Sequence, residues 1–468
     1  MDKKKMTRRA FLAATTTTAM VATTTAFGGE KTNSAKVVPG KTSPNEAIRL
    51  ACIGNGGKGT EDTMKVRRER SGQKNRIVAC CDVDWKNAAE TFNRLADDSD
   101  NKDFKKYKDY RKMFDEMADE IDAVTVTTPD HTHAPAAYHA MKLKKHVYVQ
   151  KPLAHTIAEL RLLQKTAKEM GVATQMGNQG HSGDGVREMC EIIWSGAIGD
   201  IKEAHIWTNR PIWPQGIADP LPKQDIPDTI DWDLWLGTSA VPRDYNAGYA
   251  PFKWRGWWEF GCGAIGDMAC HIMDPTFWAL KLIEAPSFSV EPISQEGMTA
   301  QCAPRKSVVK FQFPARAGMP AVDVYWYDGG NLPVRPADIP AEEKLGEGDN
   351  GSLFVGTKGY ATTGTYGGGT RLLPLEKNRD FKKPEPTLER VEGEDHYNNW
   401  LQACRGGAPA CSHFDYAAPL TICANFGNIA LHAGKRVEYD FASGTITNDK
   451  DANKLLSKEY RKGWELPV

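Results

Sequence analysis

Three side chains of this sequence could move protons, and the local pattern gives each a reason to be where it is. Lys151 follows the apolar run His146-Val-Tyr-Val-Gln150 and precedes Pro152. Proline biases the residue before it towards extended backbone, so the lysine is expected to leave a strand end directly. Strand C-termini of doubly wound sheets are where ligands bind, and an amine there could hydrogen-bond or deprotonate a substrate hydroxyl. The other two, Asp267 and His271, lie in Gly266-Asp267-Met-Ala-Cys-His271-Ile-Met-Asp274, after a glycine-rich loop. A helix starting near Gly266 puts Asp267, His271 and Asp274 at i, i+4 and i+7, on one face. An Asp and a His one turn apart could share a sugar diol, the imidazole taking a proton as a hydride leaves. Each residue alone has a plainer reading: Lys-Pro as a surface loop, Asp267 as a helix cap, His271 as a satisfied core residue. Carboxylate and imidazole also suit divalent ions, but no Cys or second His lies at ligand spacing, and no metal is expected.

A hydride needs an acceptor. Gly54-Asn55-Gly56-Gly57-Lys58-Gly59 spells G-x-G-x-x-G through Gly54, Gly56 and Gly59, after an apolar run and before a helical stretch. In that setting the first glycine makes the tight turn, the second admits a pyrophosphate to backbone, and the third lets helix and strand pack closely. The phosphates would then meet free N–H groups at a helix N-terminus. Asp82 ends the next apolar run, 28 residues after Gly54. A carboxylate there accepts both ribose hydroxyls and repels a 2′-phosphate, so NAD is expected and NADP disfavoured. Asp84 reads as the N-cap of the helix opening at Trp85.

These residues need elements to hold them. IRLACIG, RIVACCDV, AVTVTTP and HVYVQ read as buried strands alternating with helical stretches such as WKNAAETFNRLADD and HAPAAYHAMKLKK. That alternation predicts βαβ units and a parallel sheet. After about residue 175 longer alternating runs take over, among them EAHIWTNR, SVVKFQF, AVDVYWYD and SLFVGTKGYATTG. They predict a large open, mostly antiparallel sheet, with late helices in HYNNWLQACRGG and APLTICANFGNIALHAGK. The fold class is α/β: an N-terminal Rossmann doubly wound parallel sheet plus a C-terminal α+β domain. The domains are assigned as 46–175 for the NAD-binding part and 176–468 for the second, substrate-side part, with 29–45 a Gly/Ser/Pro-rich linker.

Lys+Arg and Asp+Glu balance at 60 each, so no global field attracts nucleic acid or an anionic membrane. Residues 1–28 differ from the rest: Lys3–Lys5, then Thr7-Arg8-Arg9-Ala10-Phe11-Leu12, then an uncharged threonine-rich run. The run is too polar for a membrane span, and the whole resembles a twin-arginine export signal. A periplasmic protein with no membrane span in its mature form is expected. Ten cysteines sit mostly in apolar runs as small core residues. Cys404 and Cys411 are the pair considered for a disulfide.

Thr127-Thr128-Pro129-Asp130-His131-Thr132-His133, then Gln150-Lys151-Pro152, then Asp267-x-x-x-His271 resemble the Gfo/Idh/MocA oxidoreductase family, in which the first two runs read TPN-x-x-H and E-K-P. The family's Glu is Gln150 here, which removes an electrostatic partner from Lys151. The resemblance implies that Lys151, Asp267 and His271 are catalytic. It also implies that Thr128, Pro129, His133 and Gln150 join Gly54, Asn55, Gly56, Gly57, Gly59 and Asp82 around the cofactor. The substrate side is expected to include Arg255, Trp257 and Trp258, with Trp207 and Trp213, because an aromatic ring suits the C–H face of a pyranose. Asn178 and His181 of GNQGHS are expected to line the same cleft. The implied protein is an exported NAD-dependent oxidoreductase of a sugar or glycoside hydroxyl, with a tightly held, internally recycled cofactor and a homodimeric or homotetrameric state. Two alternatives stay open: a redox-neutral NAD-dependent glycoside hydrolase, and an inactive exported sugar-binding protein.

Overall fold

A computed structural model describes residues 47–70 and 72–468. The export signal and linker assigned to 1–45 lie outside the described residues.

The first sheet has six parallel strands in the order β3-β2-β1-β4-β5-β6. These are β1 (Ile48–Ile53), β2 (Asn75–Cys81), β3 (Lys105–Tyr107), β4 (Ala123–Val126), β5 (His146–Val149) and β6 (Thr174–Met176). The four expected strands are its centre. The two edge strands are only three residues each. Helices α1 (Lys58–Val66), α2 (Ala89–Ala96), α3 (Tyr110–Met117), α4 (His133–Lys142) and α5 (Ile157–Met170) cover it. Their ends follow local rules: Asp109 accepts the Arg111 N–H to start α3, and Thr156 with Glu159 forms a capping box on α5, which Gly171 closes in the left-handed region. Asp84 caps a turn through Lys86 N–H, and α2 begins four residues later than expected, at Ala89.

The second sheet has nine strands. In chain order they are β7 (Ile201–Trp207), β8 (Ser287–Glu296), β9 (Lys306–Phe313), β10 (Val322–Tyr327), β11 (Gly351–Gly356), β12 (Tyr360–Thr363), β13 (Arg371–Leu373), β14 (Val437–Asp440) and β15 (Thr445–Ile446). Every pair is antiparallel except β7 with β10. The remaining helices are α6 (Asp184–Trp194), α7 (Trp232–Leu236), α8 (Gly263–Ile272), α9 (Asp274–Ala279), α10 (Lys377–Asp380), α11 (His396–Cys404) and α12 (Phe414–Ala433). α12 is apolar almost all round and packs on α5, α8, β6 and β8, so it cements one sheet to the other. All ten cysteines are free, Cys404 and Cys411 included. Among the described residues no helix is long and apolar enough to cross a membrane.

Candidate active site

The C-terminal ends of β1, β2, β4 and β5 open into a cleft of about 590 Å³, whose opposite wall comes from the second domain. At one end the glycine turn folds as its sequence demands. Gly54 has φ +80° and sits so close to β4 that a Cβ would stand 2.4 Å from the Thr127 carbonyl oxygen. At Gly59 a Cβ would stand 2.1 Å from the Gly54 carbonyl oxygen, which is the helix–strand contact expected of the third glycine. Gly57, at φ +55°, has open space on its Cβ side and is the N-cap of α1 without a side chain to satisfy the first turn. The Gly59 and Thr60 N–H groups donate to the Gly56 and Gly57 carbonyls, so it is the open backbone at Gly57, at the helix N-terminus, that suits an anion.

Asp82 holds this turn. Its Oδ2 accepts the Asn55 N–H at 2.6 Å and its Oδ1 the Asp84 N–H at 2.9 Å, and burial pushes its carboxyl up to about 6. The Asn55 side chain turns away from the cleft to donate to the Cys52 and Cys81 carbonyls. A glycine cradle, an uncapped helix start and a carboxylate at the next strand end fit a dinucleotide. Asn55 and Gly59 shape that cradle without lining it.

At the other end the proton-handling side chains converge. Lys151 Nζ donates to Asp267 Oδ1 and to the Asp267 carbonyl, both at 2.8 Å. Arg255 Nε donates to the same Oδ1 at 3.2 Å. Burial opposes the charge on Asp267, but the Lys151 and Arg255 cations hold its carboxyl well below the usual range. His271, one turn along α8, faces the cleft with no partner on Nδ1. Burial first, and the Lys151 charge second, keep its ring neutral well below the ordinary histidine value. The cluster is a lysine fixed on a carboxylate beside a neutral imidazole with a free nitrogen.

Lys151 therefore does have a carboxylate partner, and it is Asp267. The Gln150 side chain serves another group. Its Nε2 donates at 2.8 Å to Asp62, a fully buried α1 residue that also accepts from Thr127 Oγ1 at 2.9 Å and Tyr397 OH at 2.7 Å. A carboxylate only accepts, so it fixes the amide flip and leaves Gln150 Oε1 to accept the Lys151 main-chain N–H at 3.3 Å. Asp62 had no signal in the sequence, where a mid-helix carboxylate reads as solvated.

Asp130 is the second unforeseen carboxylate, standing where the family run has Asn. It lines the cleft and its Oδ2 accepts the Cys262 N–H at 3.1 Å. Burial raises its carboxyl to about 7 against the opposing pull of Arg255 and Lys151.

Several expected contacts fall elsewhere. His133 lies under the Thr128–Pro129 loop, its two ring nitrogens each 2.8 Å from a carbonyl, of Pro152 and Thr128, so it ties two loops together away from the cleft. Asn178 and His181 do not line the cleft. They serve Asp274, which starts α9 and not a further turn of α8, and which accepts from His181 Nδ1 at 3.0 Å, Asn178 Nδ2 at 3.3 Å and Tyr416 OH at 2.5 Å. Trp257 pairs with Cys302 in a β-bridge that turns its ring into the core against Tyr249. Trp258 points the other way, against His432. Trp207 is buried within the second domain. The aromatic wall of the cleft is Trp213, Phe252 and Trp254, with the Arg255 guanidinium 4.2 Å from the Trp254 ring and Tyr366 edge-on to His271 at 4.9 Å.

Residues 48–178 match the model of the GFO_IDH_MocA oxidoreductase family's NAD-binding Rossmann fold, and residues 200–312 that family's C-terminal alpha/beta domain, together more than half of the chain. The first domain is an NAD-binding Rossmann domain. The chain is 34% identical over 94 residues to 2,7-anhydro-N-acetylneuraminate hydratase of Escherichia coli, covering 19% of this chain and 25% of the hydratase. It is 26% identical over 290 residues to inositol 2-dehydrogenase 3 of Saccharopolyspora erythraea, covering 58% of this chain and 76% of that one. In fold it is similar to the WlbA dehydrogenase of Bordetella pertussis, solved with NADH and UDP-GlcNAcA, with TM-score 0.55 and 16% identity over 84% of this chain and 98% of that one.

Proposed function

The chain belongs to the Gfo/Idh/MocA oxidoreductase family, and from that premise we propose that it is an NAD-dependent oxidoreductase acting on a hydroxyl of a sugar or glycoside. The observation that carries the reading is that Lys151, Asp267 and His271 meet at one end of the cleft whose other end is the glycine cradle. NAD, held by the cradle and Asp82, would supply the hydride acceptor. His271 accepts the hydroxyl proton, because its buried ring is neutral and its Nδ1 is uncommitted. Lys151, held against Asp267, polarises the oxygen as the carbonyl forms. Trp213, Phe252 and Trp254 offer the apolar wall that a pyranose face needs.

A redox-neutral second reading has its own support. Eliminating a glycosidic bond next to a transient ketone requires a further group to take the C–H proton, and Asp130 is a cleft carboxyl raised to about 7 by burial. A relative named as a hydratase adds water to an anhydro sugar derivative. The leader is proposed to export the protein by the twin-arginine route with its cofactor already bound and recycled in place, and the open nine-stranded sheet to pair copies into a dimer or tetramer.

The test incubates NAD-loaded protein in D2O with a panel of free and glycosidic sugars, following reduced-nicotinamide absorbance and sugar NMR together. Net oxidation raises the absorbance and leaves a keto sugar. Redox-neutral hydrolysis frees the aglycone and exchanges the neighbouring C–H for deuterium, without lasting absorbance. A panel giving neither contradicts the oxidoreductase reading and leaves a binding protein.

A further inference from the structure

The cleft continues beyond Asp82, and there its wall is built by chain from outside the Rossmann domain: Ile230 and Leu234 at α7, and Trp464 near the C-terminus. Both pieces are fastened down. Ile230 forms a β-bridge with Asp84, Trp85 N–H donates to the Thr229 carbonyl at 3.2 Å, and Asp231 N–H to the Val83 carbonyl at 2.8 Å. The α7 segment is thus stitched to the three residues that follow Asp82. The tail is tied to that segment in turn. Arg461 N–H donates to the Thr238 carbonyl at 3.1 Å, and its guanidinium grips Asp233 at 2.7 Å on Oδ1 and 2.8 Å on the carbonyl. Trp464 then returns to the first domain, edge-on to Tyr110 at 6.2 Å with the Arg111 guanidinium 4.2 Å from its ring.

We propose that this wall of Ile230, Leu234 and Trp464 is the subsite for the adenine ring of the dinucleotide, and that it is what retains the cofactor. The inference rests on the NAD reading and adds a location and a consequence to it. A flat heterocycle is the chemistry the wall suits, since it offers apolar and aromatic surface next to the carboxylate that takes the adenosine ribose in this fold. A phosphate or a bare sugar would leave that surface unmatched. Retention follows from the stitching, because the α7 segment and the tail would have to lift from Val83, Asp84 and Trp85 before the ring could leave on that side. Such a device answers the need of an exported enzyme, which could not replace a lost dinucleotide from its surroundings.

The test measures affinities and release rates of NAD, ADP-ribose, AMP and nicotinamide mononucleotide on the full chain stripped of bound nucleotide, for wild type, Trp464→Ala and Trp464→Phe. Losing one buried aromatic face should weaken the three adenine-bearing ligands alike, by about tenfold to a hundredfold. The change should come mainly through faster release, nicotinamide mononucleotide should be unaffected, and Trp464→Phe should retain most of the affinity. If Trp464→Ala does not fold, Leu234→Ala probes the same wall from its other side. Equal binding by wild type and variant, or a loss shared by nicotinamide mononucleotide, overturns the subsite. A wild type that binds none of the four overturns the NAD reading itself.

Discussion

Two aspartate–histidine clusters lie one helix turn apart and have opposite fates. Asp274 and His181 are each 2% exposed in their side chains, and Asn178 and Tyr416 fill the remaining valences of the carboxylate. Asp267 and His271 use the same residue types, yet Asp267 is shared between two cations and His271 keeps an orphan nitrogen at a cleft. A buried polar group with every bond made holds a fold together; one left unmade at a cavity is available for chemistry. Residue type and spacing do not separate the two cases. Helix geometry does, because α8 stops at Ile272 and sends Asp274 into α9, against the inner face of His181.

The sharpest way to break this contrast is to remove one member of each cluster. Lys151→Met should lower turnover about a thousandfold with little change in thermal midpoint, since Arg255 still holds Asp267. Loss of folding with turnover intact would reverse the assignment. Asp274→Ala should do the opposite, costing about 3 kcal/mol in denaturant unfolding as three donors lose their acceptor, with turnover per folded molecule close to wild type.

The Asp62–Gln150 pair sharpens the same lesson at lower stakes. Asp62→Asn sets amide against amide and Gln150→Glu sets carboxylate against carboxylate, and each single change should cost about 1–2 kcal/mol of stability. The double variant, which exchanges the two, should recover most of that in a double-mutant cycle. Additive losses would show that the two side chains do not act together.

The last effect is a slope. The Asp130 carboxyl titrates near 7 when folded and near 3.9 in an unfolded chain. The folded state therefore favours its protonated form, and the stability this lends is complete in acid and lost as pH rises through about 7. Lys151, Arg255 and Asp267 surround it in both wild type and Asp130→Asn, so the variant should show a shallower fall in stability between about pH 4 and 7. Asp82, raised to about 6, leaves a residual slope. Parallel curves would place Asp130 among ordinary carboxylates.

Much of this could be read from the chain, for physical reasons that also mark where reading stopped. Gly54, Gly56 and Gly59 were legible because only glycine tolerates those backbone approaches, and Lys151 because a strand end and a proline fix it. Asp267 and His271 were legible as a helical pair. Of the tryptophans assigned to the substrate Trp213 lines the cleft, but Trp257 and Trp258 do not and Trp254 does, because which ring points inward depends on a bridge to Cys302 some 45 residues away in the sequence. His133, Asn178 and His181 looked like ligand groups since a histidine's partners come from distant segments and leave no local trace. Trp464 could not be placed at all until the tail was seen to fold back over the first domain.

The most direct measurement purifies the protein with no added nucleotide, denatures it, and quantifies the released dinucleotide and its oxidation state before and after exposure to the sugar panel. A near-stoichiometric dinucleotide, reduced on exposure in wild type but not in Lys151→Met, is the predicted result. A protein that carries no dinucleotide and binds NAD only weakly, or whose bound dinucleotide no sugar reduces, would contradict the account.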